Sequence, residues 1–262
     1  MFALDHDYHI HTTLSTCCHD PNMTPERLIP VCREEGRKEI VLTNHFWDAL
    51  MPGADAWYGP QNLAHVRKIL PLPEETDIRV HFGCETEFCG GKKIGISPES
   101  YDAFEFIIVP FDHLHNHFSR PVDCTTPEQV AALYMNHFED LLQLDLPWRK
   151  IGVAHLTCSL TYPGPRLHEV FEHMDAARLS RCFDFLAAKG AGVELNADCF
   201  KPGWETYRDT FLSVYRLAER SGCKFYCGSD AHALATLRTL RPNLAPVVEA
   251  LGLTEAHRFY LP

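Results

Sequence analysis

Apolar residues fall into seven short runs, at positions 7–10, 39–43, 78–83, 105–109, 151–154, 192–195 and 224–227, with longer amphipathic stretches between them. The runs are rich in Ile, Val, Phe and Tyr and are bounded by Gly, Pro or Asp, which predicts strands. Phe106-Ile107-Ile108-Val109 shows no polar alternation, as expected of a strand covered on both faces in a parallel sheet. The intervening stretches predict helices. Thr24-Pro25-Glu26 opens one, with an N-cap residue, a proline suited to the first turn and an acid after it. Pro127-Glu128 opens another, with Val130, Leu133, Tyr134, Phe138, Leu141 and Leu142 forming its apolar stripe. Positions 175–188 and 206–220 repeat the pattern, with Gly190 and Gly222 as stop signals.

Regular strand–helix alternation predicts an α/β fold with right-handed crossovers. Seven repeats without a linker or low-complexity tract predict one domain over residues 1–262, a barrel rather than an open sheet. Positions 47–73, rich in Pro and Gly, read as a long excursion over the barrel mouth, and 118–126 as a shorter loop. No glycine-rich nucleotide-binding sequence occurs.

Chemistry-bearing residues recur at one end of these strands, where parallel α/β barrels gather functional groups. His9 and His11 end the first run, and residues two apart in a strand share a face. His45 follows the second, Glu85 the third, His113 and His115 the fourth, and His155 the fifth. Glu194 and Asn196 close the sixth, and Asp230 and His232 follow the seventh. His113 and His115 compete for one position, which is given to His113. A tetrahedral ion needs four ligands. So many imidazoles and carboxylates imply two or three divalent ions sharing a carboxylate such as Glu85, an arrangement suited to phosphoryl esters.

Composition narrows the class further. The 262-residue chain is 45% hydrophobic, enough for a full core, and carries a formal charge of -11. That charge argues against nucleic acid or an anionic membrane as partner, and not against a small anion bound through cations. The 16 histidines are an excess that asks for a use. The 11 cysteines, with no paired zinc-ribbon spacing, no basic leader and no long apolar stretch, read as reduced thiols of a cytoplasmic protein. Oligomeric state leaves no mark in the sequence.

Tyr8-His9-Ile10-His11-Thr12 with Ser15, Thr43-Asn44-His45, Gly83-Cys84-Glu85 and Gly228-Ser229-Asp230-Ala231-His232 together resemble the polymerase and histidinol phosphatase (PHP) superfamily, end to end and in motif order. The resemblance implies a distorted (β/α)7 TIM-like barrel and a phosphoesterase with a trinuclear site of Zn, Mn or Fe. It implies His9, His11, His45, Glu85, His113, His155, Asp230 and His232 as metal ligands. The family places a further Asp or His five or six residues after the second histidine, where this chain has Thr16 and Cys17. A shifted loop would instead bring His19, or behind it Asp20, to the metal, since a Cys17 thiolate suits hard, hydroxide-bridged ions less well.

The expected activity is hydrolysis of a small phosphorylated metabolite by a metal-bound hydroxide, with Asp230 at the centre and His232 or His115 protonating the leaving group. Arg120, Arg166, Lys201 and Arg238 lie in or near the expected mouth loops and are the candidates to hold phosphate. Histidinol-phosphate phosphatase is a narrower alternative. A non-catalytic metal-binding barrel is another, as is an amidohydrolase-type enzyme. The last class typically uses eight strands and a late bridging lysine, and no Lys stands at a strand end here.

Overall fold

A computed structural model describes residues 1–262. Seven parallel strands form one sheet in chain order: β1 (His6–Ile10), β2 (Glu39–His45), β3 (Arg79–Glu85), β4 (Phe106–Val109), β5 (Ile151–Val153), β6 (Gly192–Asn196) and β7 (Lys224–Gly228). Each lies within two residues of the run that predicts it. The helices are α1 (Pro25–Glu34), α2 (Leu63–Val66), α3 (Pro127–Leu141), α4 (Leu167–Glu172), α5 (Ala176–Lys189), α6 (Arg208–Arg220), α7 (Leu234–Leu237) and α8 (Leu240–Leu251). No helix is long and apolar enough to cross a membrane.

The sheet curls until its first and last strands meet. Asp230 N–H donates to the His9 carbonyl at 2.8 Å and His11 N–H to the Ala231 carbonyl at 3.1 Å. Ile10 and Ala231 form a parallel bridge. The result is a nearly closed (β/α)7 barrel. Its interior is plugged by Tyr8, Val41, Phe106, Ile108, Ala154, Tyr226 and Phe259, a buried cluster drawn from four strands, the residue after β5 and the C-terminal segment. Gly152 makes room for this plug, because a Cβ there would overlap the Phe106 ring and the Tyr226 hydroxyl. A larger apolar layer, including Ile107, Val109, Phe138, Phe183 and Leu212, packs strands against helices outside the barrel.

Local chemistry fixes the helix positions. Thr126 and Gln129 form a reciprocal capping box at the start of α3, ahead of Pro127. Asp175 caps α5 by accepting from Ala177 and Arg178 N–H, and Gly190 ends it in the left-handed region (φ 76°). Register fixes the site. β2 and β3 pair Val41 with His81, Thr43 with Gly83 and His45 with Glu85, so the last pair stands side by side at the carboxyl end. On β1 the register shifts between Asp7 and Ile10. That irregularity lets Tyr8 join the plug while the next residue, His9, also faces inward, the kind of re-aiming that bulges perform near active sites.

Candidate metal centre

The carboxyl ends of the strands bring His9, His11, His45, Glu85, His113, His155, Asp230 and His232 into one buried patch. Among these eight residues three donor groups can be drawn, each with ligand atoms within 4.8 Å of one another: His9, His11 and Asp230; Glu85, His113 and His155; and His11, His45 and His232; a fourth, Asp112, His155 and Cys158, lies behind His155. Glu85 reaches the other two groups as well. Its Oε1 is 3.2 Å from His155 Nε2, and its Oε2 is 3.0 Å from His45 Nδ1, 3.3 Å from His11 Nε2 and 3.4 Å from His9 Nε2.

Protein acceptors face five of the six imidazoles on the side away from the centre, four of them through hydrogen bonds. His9 Nδ1 donates to Glu194 Oε1 at 2.8 Å. His11 Nδ1 donates to Ser15 Oγ at 2.9 Å, and Ser15 passes its own proton to Asn44 Oδ1 at 2.9 Å. His113 Nδ1 donates to Glu87 Oε2 at 2.7 Å, and His155 Nδ1 stands 3.0 Å from Asp112 Oδ1. His232 Nδ1 donates to the Asp230 carbonyl at 2.8 Å. Such outer partners fix the tautomer and turn the other nitrogen's lone pair inward, as around bound metal ions. The residues therefore fit divalent cations. Buried polar atoms without hydrogen bonds point the same way: His45 Nδ1 and Glu85 Oε2 lie 3.0 Å apart and make none.

Electrostatics follow from that crowding. Burial alone would raise the pKa values of Glu85 and Asp230, but facing imidazoles outweigh it and hold both carboxyls well below the usual carboxylate range. Burial disfavours protonation of His9, yet the Asp230, Glu194 and Glu85 carboxylates outweigh it and raise that imidazole. Burial, with His11 beside it, lowers His232 to about 4. Burial and the Glu85 and Asp230 carboxylates push the Cys17 thiol up to about 12 when no cation stands between them.

The backbone is bent to suit this cluster. His155 (φ 29°) and Asp230 (φ 54°) are the two non-glycine residues with positive φ. Side chains resist that region, and residues held there concentrate at functional sites. Gly228 is required for a different reason. A Cβ at that position would collide with Glu194 Oε1 and crowd the His9 Cβ, displacing the acceptor that orients His9.

The cluster floors a cavity of about 550 Å³ lined by Cys17, His45, Asp55, Trp57, Tyr58, Glu85, His113, His115, Asn116, Phe118, Leu160, Asp230 and His232. The excursion at 47–73 and the loop after β4 thus supply its aromatic wall. Asp55 Oδ1 accepts from the Trp57 and Tyr58 N–H groups, shaping that turn. Tyr58 OH donates to Glu87 Oε2 at 2.6 Å, tying the wall to the acceptor behind His113.

Several sequence expectations are corrected here. His19 is exposed and does not join the cluster. Asp20 is engaged elsewhere, accepting from Asn22 N–H at 2.9 Å and Leu234 N–H at 3.1 Å. Cys17 faces the cavity in their place, with Sγ 3.0 Å from His232 Nε2. No Lys or Arg side chain lines the cavity. Arg166 forks onto Glu169, Lys201 pairs with Asp198, and Arg238 pairs with Glu34 and Glu35, all at the surface. Arg120 follows the mouth loop without lining the cavity. His232 and His115 both line the cavity, and His232 is engaged at both ring nitrogens. Glu87 behind His113 and Asp112 beside His155 carry no sequence motif that singles them out as supports. Glu194, at the end of the sixth run, stands behind His9 as the acceptor that orients it.

Comparison with protein-family models and with curated proteins finds no match for the sequence. Solved structures do match. A histidinol phosphate phosphatase from Lactococcus lactis subsp. lactis Il1403, complexed with zinc, L-histidinol and phosphate, superposes with a TM-score of 0.61 at 17% identity, covering 95% of this chain and 94% of its own. The chain shares that phosphatase's fold. A provisionally assigned histidinol phosphatase from Listeria monocytogenes gives 0.58 at 15% identity, covering 88% of this chain and 96% of its own.

Proposed function

We propose that the chain is a metal-dependent hydrolase of phosphate monoesters, of the PHP type. The observation that carries this reading is the inward convergence of His9, His11, His45, His113, His155 and His232 on Glu85 and Asp230, with protein acceptors behind the far nitrogens of five imidazoles, four of them hydrogen-bonded. When bound, two or three divalent ions such as Zn, Mn or Fe supply Lewis acidity and acidify a water to near neutrality.

The chain's own groups do the rest. Glu194, Ser15, Glu87 and Asp112 keep the imidazoles aimed, so little reorganisation is needed at the moment of reaction. Trp57, Tyr58, Phe118 and Leu160 exclude water from one side of the cavity. His115, lining the cavity, is the group placed to protonate the leaving oxygen, and Asn116 offers an amide to the ester. The wall favours an uncharged or cationic leaving group, because it presents aromatic faces and the Asp55 carboxylate and no fixed positive charge. Histidinol phosphate, with an amine and an imidazole, satisfies that description, and the phosphatase sharing this fold carries histidinol and phosphate. A cytoplasmic setting belongs to the same proposal and rests on the eleven free thiols.

The test is purified protein, stripped and reloaded with single metals, assayed on aryl phosphate, histidinol phosphate and several amides. Phosphate release that needs metal and disappears in Asp230→Asn is the expected result. Turnover that survives chelation, cleavage confined to amides, or metal binding with no turnover at all would overturn the proposal.

A further inference from the structure

The three donor groups differ in kind. The first two contain a carboxylate each, Asp230 and Glu85. The third, His11, His45 and His232, has only nitrogen donors within it, and the side chain beside it is a thiol. Cys17 is held there by design of the loop. Cys18 N–H donates to the Ser15 carbonyl at 2.9 Å, and Cys18 Sγ donates to the His232 carbonyl at 3.3 Å. Thr16 N–H donates to Gln61 Oε1 at 2.9 Å. These bonds pin the loop on both sides of Cys17, leaving its sulfur 3.0 Å from His232 Nε2.

The far nitrogen of His232 carries the proton it donates to Asp230, so Nε2 presents a lone pair to that sulfur. His45, 7% exposed, shares a donor group with His232, and its Nδ1 stands 3.0 Å from Glu85 Oε2 with neither atom in a hydrogen bond. A lone S–H···N hydrogen bond would account for Cys17 and His232, but not for a buried imidazole nitrogen and a carboxylate oxygen set 3.0 Å apart without a hydrogen bond between them. A cation among them accounts for all four.

Resting on the reading of this cluster as a metal centre, we infer that Cys17 is a thiolate ligand of the cation held by His45 and His232. The sulfur–metal bond replaces the S–H bond, and the proton leaves to solvent. A nitrogen–sulfur donor set is soft, and it selects zinc or cadmium over manganese and magnesium. The neighbouring carboxylate-bearing groups suit harder ions. The centre is therefore chemically uneven, with one thiophilic position beside two that tolerate several metals.

Cobalt(II) tests this without reference to turnover, because thiolate coordination gives a sulfur-to-cobalt charge-transfer band in the near ultraviolet. The full chain, stripped and titrated with cobalt, should show that band as its last site fills. Cys17→Ser should lose the band and hold one fewer cobalt per chain, with folding checked by circular dichroism. Cys17→Asp should restore the missing cobalt without the band and shift that position's preference from zinc towards manganese. Fully loaded wild-type protein lacking the band, or Cys17→Ser retaining it, would overturn this assignment while leaving the hydrolase reading intact. A chain that binds no cobalt at any position would overturn both.

Discussion

His9 Nε2 and His11 Nε2 face each other at 3.1 Å, while both Nδ1 atoms donate outward, to Glu194 and Ser15. Two lone pairs held that close repel unless a cation lies between or beside them. A proton serves in the metal-free chain, consistent with the raised His9 and His11 imidazoles, and a divalent ion displaces it. Metal should therefore stabilise the fold. Ligand at a hundred times its dissociation constant contributes about 2.7 kcal/mol, which moves Tm by on the order of 5–10 °C for a chain of this size. Thermal unfolding with zinc against excess chelator checks this, and coincident curves would remove the metal from the account.

Glu194 orients His9 through Oε1 and also accepts the His155 N–H through Oε2 at 2.7 Å. Glu194→Gln should weaken metal binding or turnover by about 10–100-fold, the usual cost of losing such a support. Gly228→Ala should produce a loss of the same kind from the opposite direction, since the added methyl displaces the Glu194 carboxylate. Calorimetric metal titration of both variants is the check. Wild-type affinity in either would show that His9 needs no such hold.

In the proposed role of proton donor to the leaving group, His115 should matter in proportion to how poor that group is. His115→Ala should lower kcat for an alkyl phosphate by about 100-fold and leave an activated aryl phosphate nearly untouched. Equal losses on both substrates would point to a binding role instead.

Arg166, Lys201 and Arg238 are committed to carboxylates on the surface. Replacing each by Ala should leave kcat/KM for phosphate esters unchanged. A KM rise in any of them would mean that its loop reaches the cavity during turnover.

Acid stability should depend on Glu39, at the opposite end of the barrel. Burial would raise its carboxyl, but His81, Tyr8 and Arg79 outweigh that and bring it down to about 2. The folded pKa lies below the ordinary 4.5, so the native state binds fewer protons than the unfolded chain in that interval. Its contribution is present above pH 4.5 and is lost as pH falls towards about 2. Denaturant unfolding should show Glu39→Gln less stable than wild type near neutrality and less sensitive to acid. An unchanged acid limb would contradict this.

The barrel is legible because burial on both faces leaves continuous apolar runs, such as Phe106 to Val109, that few other contexts produce. The residues gathered at the strand ends are legible for a related reason: parallel strands deliver their last side chains to one rim. α8 escapes sequence reading because Pro242 and Pro246 interrupt its pattern, although Leu244, Val247 and Val248 still bury one side. Cys17 was passed over for His19 because residue type was weighed ahead of loop geometry. That geometry is set by contacts to Gln61 and His232, far away in sequence. The basic residues mislead similarly. Nearness to a mouth loop says nothing about a carboxylate such as Glu169 waiting on the surface.

A chamber walled by aromatic rings and floored by acids and imidazoles has no fixed positive charge of its own to offer an ester. Under the proposed reading, attraction for anions is acquired together with the ions, so cations would enter first and phosphate second. A chain starved of those ions would then have little hold on a phosphate ester until they were resupplied.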